Sequence, residues 1–462
     1  MPHRRSGSTA LACALGAALV LLAPAPRAAA APDVRDPALN TRTTKLGNGL
    51  VVLTLEDHAT PVVAFQMWVR VGSKDEARYT GLAHLFEHMM FKGSEHIAPE
   101  EHARLVQARG GRTNAYTTHD HTVYFEEVSR ENLPLVIELE AERVANLAIT
   151  EETLVSERQV VLEERRMRTD DQPDGRALEA LLALSFQAHP YRWPVIGWRS
   201  DVEQATLEAC RDFFAHYYAP NNIVLSIVGD FDTEETLALV RRTFGRLEAV
   251  DEIPRNPTRE PEQRGERRAT VEFDLRSPVL AVAWHAPAAG HADAEPLDVL
   301  SEILSDGRSS RLYRRLVYRD QQALAAEGAY WELQQAGLFY AFVSVRPGAS
   351  IERAERTLFE EIEKVRTQPV SAAELEKAKR QLEVGLVNGL AANHAVANRI
   401  AYDSVTLGRI RPLEERLAAI QAVDAEAVRR VAQTYLAPDL RSVVRVVPPP
   451  TSAQAHAEAK AR

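Results

Sequence analysis

Apolar residues alternate with polar ones at period two in some stretches of this chain and recur at helical spacing in others, so strands and helices are mixed. Leu50 to Leu55 and Val62 to Val71 read as strands, a further strand is predicted near Asn114 to Glu127, and Ile223 to Val228 reads as another. Helices are predicted over Leu133 to Asn146, over Thr150 to Arg168, where Leu154, Val155, Val161 and Leu162 share the helical period, and around Leu207 to Tyr218. Another covers His84 to His88 and runs into Met89, Met90 and Phe91, so it enters a core. Gly110 and Gly111 read as a turn entering the next strand. Strict β-α-β alternation is missing, which predicts an α+β fold with helices packed on a largely antiparallel sheet.

The pattern repeats. Thr206 to Pro220 (TLEACRDFFAHYYAP) aligns without a gap on Asp424 to Pro438 (DAEAVRRVAQTYLAP), with Glu208 on Glu426, Arg211 on Arg429, Tyr217 on Tyr435 and Pro220 on Pro438. A period as long as the distance from Thr206 to Asp424 implies duplicated domains, since solenoid repeats are far shorter. Two homologous halves are therefore expected, residues 32–246 and 269–447. They flank a linker over 247–268, where Pro254, Pro257 and Pro261 stand among charges. Residues 448–462, opening on Pro448-Pro449-Pro450, are expected to form a disordered tail.

The segment His84-Leu85-Phe86-Glu87-His88 carries the chemistry. At about 100° per residue, both imidazoles and the Glu87 carboxylate project from one stripe of a helix. Residues four apart have Cβ atoms about 5–6 Å apart, which suits two ring nitrogens each about 2.0–2.1 Å from one Zn²⁺. The motif H-x-x-E-H is an inverted zincin signature, in which the glutamate serves as base. Catalytic zinc usually takes three protein ligands, and Glu164 is the best third. Glu157 lies two turns before it, within about 20° on the same helix, so one can bind while the other orients. Without that context Glu157, Glu163 and Glu164 read as solvated charges beside Arg165 and Arg166. His119 and His121 alternate along a strand and read as exposed rather than ligating, as do His58, His96 and His102.

HLFEHMMFKGS, followed well downstream of His88 by Glu164, resembles the pitrilysin or insulinase (M16) family of zinc metallopeptidases, in the short bacterial form. GRTNAYTTHDHTVYF (Gly111 to Phe125) resembles the family's substrate-binding edge strand, and HPYRWPVIG with YYAPNNIVLSIVGDFD the end of its catalytic half. The resemblance implies His84, His88 and Glu164 as ligands of one Zn²⁺, Glu87 as catalytic base and Glu157 as a supporting carboxylate. It implies that an extended peptide substrate pairs with Asn114, Ala115 and Tyr116. In the second half the strand Leu280 to Gly290 leads into a helix over Asp298 to Asp306 with no histidine, so that half has lost the metal site. Family members carry an Arg and a Tyr there that reach substrate. Arg319 matches the first, but Ala326 stands where Tyr is expected; Tyr313, Tyr330 or a second subunit could replace it. Short members work as dimers, so a homodimer, or a heterodimer with a metal-free paralogue, is expected.

Other readings of the same residues are a noncatalytic partner or scaffold subunit, a lyase of the S-ribosylhomocysteine type, which is much shorter and unduplicated, and a metal-storage module, which has no need of Glu87. Mn²⁺ or Co²⁺ could occupy the same ligands in vitro.

Composition adds a location and leaves the chemistry unaltered. The 462 residues suit two or three domains, and 45% apolar residues are ordinary for a globular chain. Arg4 and Arg5 precede an apolar run from Ala10 to Ala23 and small residues around Ala28 to Ala31, a secretory signal over residues 1–31. The run is short for a membrane span, which needs about 20 residues, and no later stretch is long enough. An exported, periplasmic protein is expected. Formal charge is −10, and loss of three arginines with the signal leaves −10 − 3 = −13, which disfavours nucleic acid as a partner. Only Cys210 would survive processing, so no internal disulfide is expected.

Overall fold

The computed structural model describes residues 36–449; the signal segment 1–31 and all but the first two residues of the expected tail lie outside them. Two sheets organise the chain. The N-terminal sheet contains β1 (Arg42–Lys45), β2 (Val51–Glu56), β3 (Val62–Val69), β4 (Arg112–Thr117), β5 (Thr122–Ser129) and β6 (Ile223–Gly229), in the order β1-β2-β6-β3-β5-β4. The C-terminal sheet contains β7 (Arg267–Glu272), β8 (Val279–Ala286), β9 (Ala323–Trp331), β10 (Gly337–Val345) and β11 (Arg441–Val447), in the order β7-β11-β8-β10-β9. With β1 set aside the two orders are the same, and so is the sense of pairing: β2 with β6 and β7 with β11 are parallel, the rest antiparallel.

Duplication is visible down to single helix caps. The helices Leu207–Tyr217 and Ala425–Tyr435, the short turns Pro220–Asn222 and Pro438–Leu440, and the strands β6 and β11 are all separated by one and the same offset along the chain. Thr206 and Asp424, at that offset too, each accept a backbone N–H three residues on and so start their helices alike.

The halves are interlocked through their sheets. Alternate residues of β3 serve opposite layers: Val63, Phe65, Met67 and Val69 face the N-terminal core, whereas Ala64 and Trp68 pack under Val396, Ala397, Ile400 and Ala401 of the helix Asn393–Tyr402 from the second half. The exchange is reciprocal. Leu181 and Leu182 of the helix Pro173–Ser185, from the first half, pack on Val279, Ala281 and Ala283 of β8, whose Leu280, Val282 and Trp284 face the other core. The linker has neither helix nor strand between Arg246 and Arg267, yet it is docked: the Glu260 carboxylate accepts the backbone N–H groups of Gln187, Ala188 and His189 at 2.9–3.0 Å. Strand β7 starts at Arg267, inside the end of the expected linker, because Arg267 already pairs with Ser442.

The segment Asn114 to Glu127 is a hairpin rather than one strand, since Thr118 to His121 form a turn closed by backbone and side-chain bonds between Thr118 and His121. The second-half helix runs over Ala294–Leu304, starting one turn before Asp298. Cys210 is a free, buried thiol. Among the described residues no helix is long and apolar enough to cross a membrane.

Ile400 is fully buried between the halves. Ile400→Ala should cost about 2–5 kcal/mol, as large-to-small core changes do, and move one shared urea transition to lower midpoint. Two separate transitions would show that the halves fold independently.

Candidate metal centre

The helix bearing the motif, Leu82–Met89, begins at Gly81, whose φ of +90° favours glycine. Glycine has no side chain to cap the helix, and the buried Glu76 carboxylate does so instead, accepting Gly81 N–H and Ala83 N–H at 2.8 Å each. Gly197, also at positive φ, backs onto Gly81 so closely that a Cβ on it would meet Gly81 Cα at 2.5 Å. Gly197 O in turn accepts from the buried Arg165 at 2.7 Å, which ties the entrance of this helix to the end of the helix Glu151–Arg165 carrying Glu157 and Glu164. Leu85, Phe86 and Met89 hold the other face in the core, with Phe86 stacked on Phe213. The histidine stripe is left facing Glu164.

His88 Nε2 lies 3.2 Å from Glu164 Oε2 and His84 Nε2 lies 3.8 Å from it, with the two rings 4.9 Å apart. One atom of each residue falls within 4.8 Å of the others. A tetrahedral ion with bonds of about 2.0–2.1 Å separates its ligand atoms by about 3.4 Å, so the three can close on one cation with small adjustments. His84 Nδ1 is buried with no hydrogen-bond partner, and a cation on Nε2 would leave it so. The fit to a cation rests instead on the convergence of two imidazole nitrogens and a carboxylate oxygen, a donor set that suits zinc. Burial drives His84 down to about 4. Burial also opposes charge on His88, but Glu157 and Glu164 outweigh it and push that ring up to about 9. The site thus calls for one positive charge shared between two rings and a carboxylate.

Glu157, 2% exposed, sits 3.6 Å from His88 Nδ1 and 3.1 Å from Lys92 Nζ. That places a buried carboxylate on the Nδ1 side of His88, which favours the ring orientation with Nε2 toward Glu164. Glu87 is raised above the usual carboxylate range by burial, against an opposing hydrogen bond from Thr117 Oγ1 to its Oε2 at 2.6 Å. Thr117 ends β4, so the edge strand of the sheet holds the prospective base.

Residues 51–197 match the family model described as insulinase, peptidase family M16, and residues 204–382 match the model described as peptidase M16 inactive domain. A zinc protease of Helicobacter pylori, PqqE, is 32% identical over 395 residues, covering 84% of this chain and 89% of that one. The chain belongs to the M16 peptidase family. The crystal structure of a protease from Helicobacter pylori superposes with a TM-score of 0.86 at 30% identity, covering 88% of this chain and 99% of that one. A probable mitochondrial-processing peptidase subunit beta of Arabidopsis thaliana is 27% identical over 416 residues, covering 86% of this chain and 77% of that one.

Within this M16 chain, Asn114, Ala115 and Tyr116 lie on β4, which among the described residues pairs only with β5 and so forms an open edge. Ala115 N–H goes to the Asn114 side chain at 2.9 Å, whereas Tyr116 turns its hydroxyl to Asn398 of the second half at 2.8 Å. Arg319 is not joined to this group: it ends the π-helical turn Tyr313–Arg319, is largely exposed, and pairs with Asp320. Tyr330 spends its hydroxyl on Pro287 O.

Three histidines depart from the expected exposure. His119 and His121 sit on the β4–β5 turn rather than along a strand, 3% and 6% exposed, packed on Trp331 and Trp68 respectively, and burial drives both down to about 4. His102 is buried against Glu126 and Glu140, a second close cluster, but the Arg143 guanidinium already lies against Glu140 and supplies its positive charge. His58 and His96 are exposed, as expected. Arg165 is buried as well, where the sequence pattern suggested a solvated charge. Thr117, Lys92 and Glu76 were not foreseen; only the nearness of Thr117 to the edge-strand segment could have pointed to it.

Glu157→Gln should keep the fold and weaken zinc binding about 10–100-fold, the usual effect of losing a partner that orients a ligand. Competition with a chromogenic chelator measures it; unchanged affinity would remove Glu157 from this role.

Proposed function

We propose that this chain is a zinc-dependent endopeptidase acting on unfolded or extended peptides. One observation carries the reading: Glu87, held by the edge strand through Thr117, stands on the same helical stripe as two imidazoles that converge on Glu164. Bound by His84, His88 and Glu164, Zn²⁺ would polarise the scissile carbonyl and lower the pKa of a coordinated water toward about 7. Glu87 takes the proton of the attacking water and passes it to the leaving amine. Burial raises its pKa above the usual carboxylate range, the direction that helps one carboxyl first take and then give a proton. Thr117 keeps the carboxylate aimed, and Glu157 keeps His88 in the tautomer that presents Nε2.

Substrate binding by strand addition follows from the open edge of β4. Main-chain pairing tolerates many sequences and demands an extended chain, so folded proteins are excluded. A noncatalytic partner subunit of the same fold would need neither Glu87 on Thr117 nor the convergence on Glu164. The similarity to a processing-peptidase subunit, together with the absence of Arg319 from the site, supports a dimer in which a second chain completes substrate binding. Export to the periplasm, with residues 1–31 removed as a signal, belongs to the same reading and would bring the enzyme to peptides there.

Glu87→Gln should retain about one zinc per chain and lose about 10²–10⁴ in turnover of an unstructured quenched peptide, the usual worth of a general base. Retention of more than a tenth of the rate would remove Glu87 as base. His84→Ala should lose metal and activity together, read by elemental analysis. Sedimentation should place activity in a two-chain species, and an active monomer would overturn the dimer.

A further inference from the structure

Beyond Thr117 the edge strand leads into the β4–β5 turn, and on the far side of that turn an uncovered groove of about 500 Å³ runs along the C-terminal sheet. Its floor is one face of the β9–β10 pair. Register places Trp331 opposite Leu338, Ala329 opposite Tyr340 and Glu327 opposite Phe342, so these side chains share a face. The wall is the helix Pro173–Ser185, which presents Leu178, 39% exposed, and Leu182. That helix covers β8 and β11 but leaves Tyr340 and Phe342 only half-buried.

The groove joins the catalytic region. A second cavity of about 450 Å³ shares Leu178, Leu182 and Trp331 with it and is also lined by Thr117 and Arg168, the partners of Glu87 and Glu164. Trp331 is held edge-on by buried His119, with centroids 5.3 Å apart. From there the rings continue in a row, Trp331 to Tyr340 at 6.4 Å and Tyr340 to Phe342 at 5.8 Å. An extended peptide rises about 3.3 Å per residue and turns alternate side chains to the same face about 6.6 Å apart. The row has nearly that spacing. Asp174 and Glu327 also line the groove, so its rim disfavours acidic segments.

We propose that this groove binds alternate apolar side chains of the same extended polypeptide whose scissile bond lies at the metal centre, which rests on the peptidase reading above. The substrate class is then narrower than any unfolded chain: segments with the alternating pattern of a half-buried β-strand, lying to one side of the cut. The degenerate half selects what the first half cleaves.

Full-length Glu87→Gln protein, which leaves a peptide uncut, is titrated with two labelled peptides of equal composition, about a dozen residues each so as to reach both sites at about 3.3 Å per residue. One has Leu and Phe at alternate positions toward one end; in the other the same residues are scrambled out of alternation. The alternating peptide should bind about tenfold tighter, as two or three ring contacts allow. Adding Phe342→Ser or, separately, Leu178→Ser should erase most of that difference; the second change lies on an exposed helical surface and guards against misfolding by the first. Equal binding of the two peptides would overturn the proposal. So would groove variants that preserve the discrimination, or that shift the sedimentation of the protein, since a second copy would then cover the groove. Parallel cleavage assays with the native chain separate the two readings: discrimination without cleavage would sink the peptidase, and cleavage without discrimination would sink the groove.

Discussion

The approach of two helices, not the motif itself, is what the site depends on. His84 and His88 would face solvent on an isolated helix. They face Glu164 because Gly81 and Gly197 touch without side chains between them, and because Arg165 reaches across to Gly197 O. A Cβ on Gly197 would lie 2.5 Å from Gly81 Cα, and one on Gly81 3.0 Å from Gly197 Cα, so either would force this contact apart and disturb ligand atoms now 3.2 and 3.8 Å from one carboxylate oxygen. The buried Glu76 matters for the same reason. It caps a helix whose first residue has no side chain to do so, and it fixes where the histidine stripe begins.

Side chains brought together this closely need rigid support on the far face of their sheet, and the second half supplies it. Trp68 and Val224 lie on the face of the N-terminal sheet that the helix Asn393–Tyr402 covers. The reciprocal helix Pro173–Ser185 follows directly from the helix bearing Glu164, through a π-helical turn over Arg166–Asp170. One continuous stretch of chain therefore connects a candidate metal ligand to the wall of the groove on the C-terminal sheet. Duplication made two equivalent sheets, and exchange of helices made each half a condition for the other's order.

The convergence of the candidate residues was legible in the sequence, and their surroundings much less so. Helical spacing alone placed His84, Glu87 and His88 on one stripe, and two full turns of the next helix placed Glu157 with Glu164, because both arguments use only local geometry. The constant offset that sets Thr206 on Asp424 carried the architecture, since it preserved caps and turns as well as apolar positions. Burial of charged residues was not legible. His102, His119, His121 and Arg165 look like surface residues in any local window, and only partners distant in the chain, such as Glu126, Trp331, Trp68 and Gly197, put them inside. The hairpin at Thr118 to His121 was missed for a related reason: it has no glycine or proline, and Thr118 closes it with side-chain bonds. Arg319 was carried over by position alone, and within this chain its largely exposed guanidinium pairs with Asp320.

The two halves also answer the same electrostatic problem in different ways. With β1 set aside, each places a helix with polar residues after the second strand of its repeat, and each thereby buries ionisable groups. In the first half these are imidazoles and a carboxylate arranged so that one cation satisfies all three. In the second they are acids: burial, then the charges of Glu332, Glu295 and Glu302, pushes Asp298 up to about 8, and burial with Asp306 pushes Glu302 up to about 7. Burial thus favours the protonated form of those carboxyls, an answer that involves no imidazole. Loss of the histidines therefore did not require loss of the fold, because protonation can offset buried charge as coordination does. A framework that tolerates either answer can carry paired imidazoles in one half and carboxyls alone in the other.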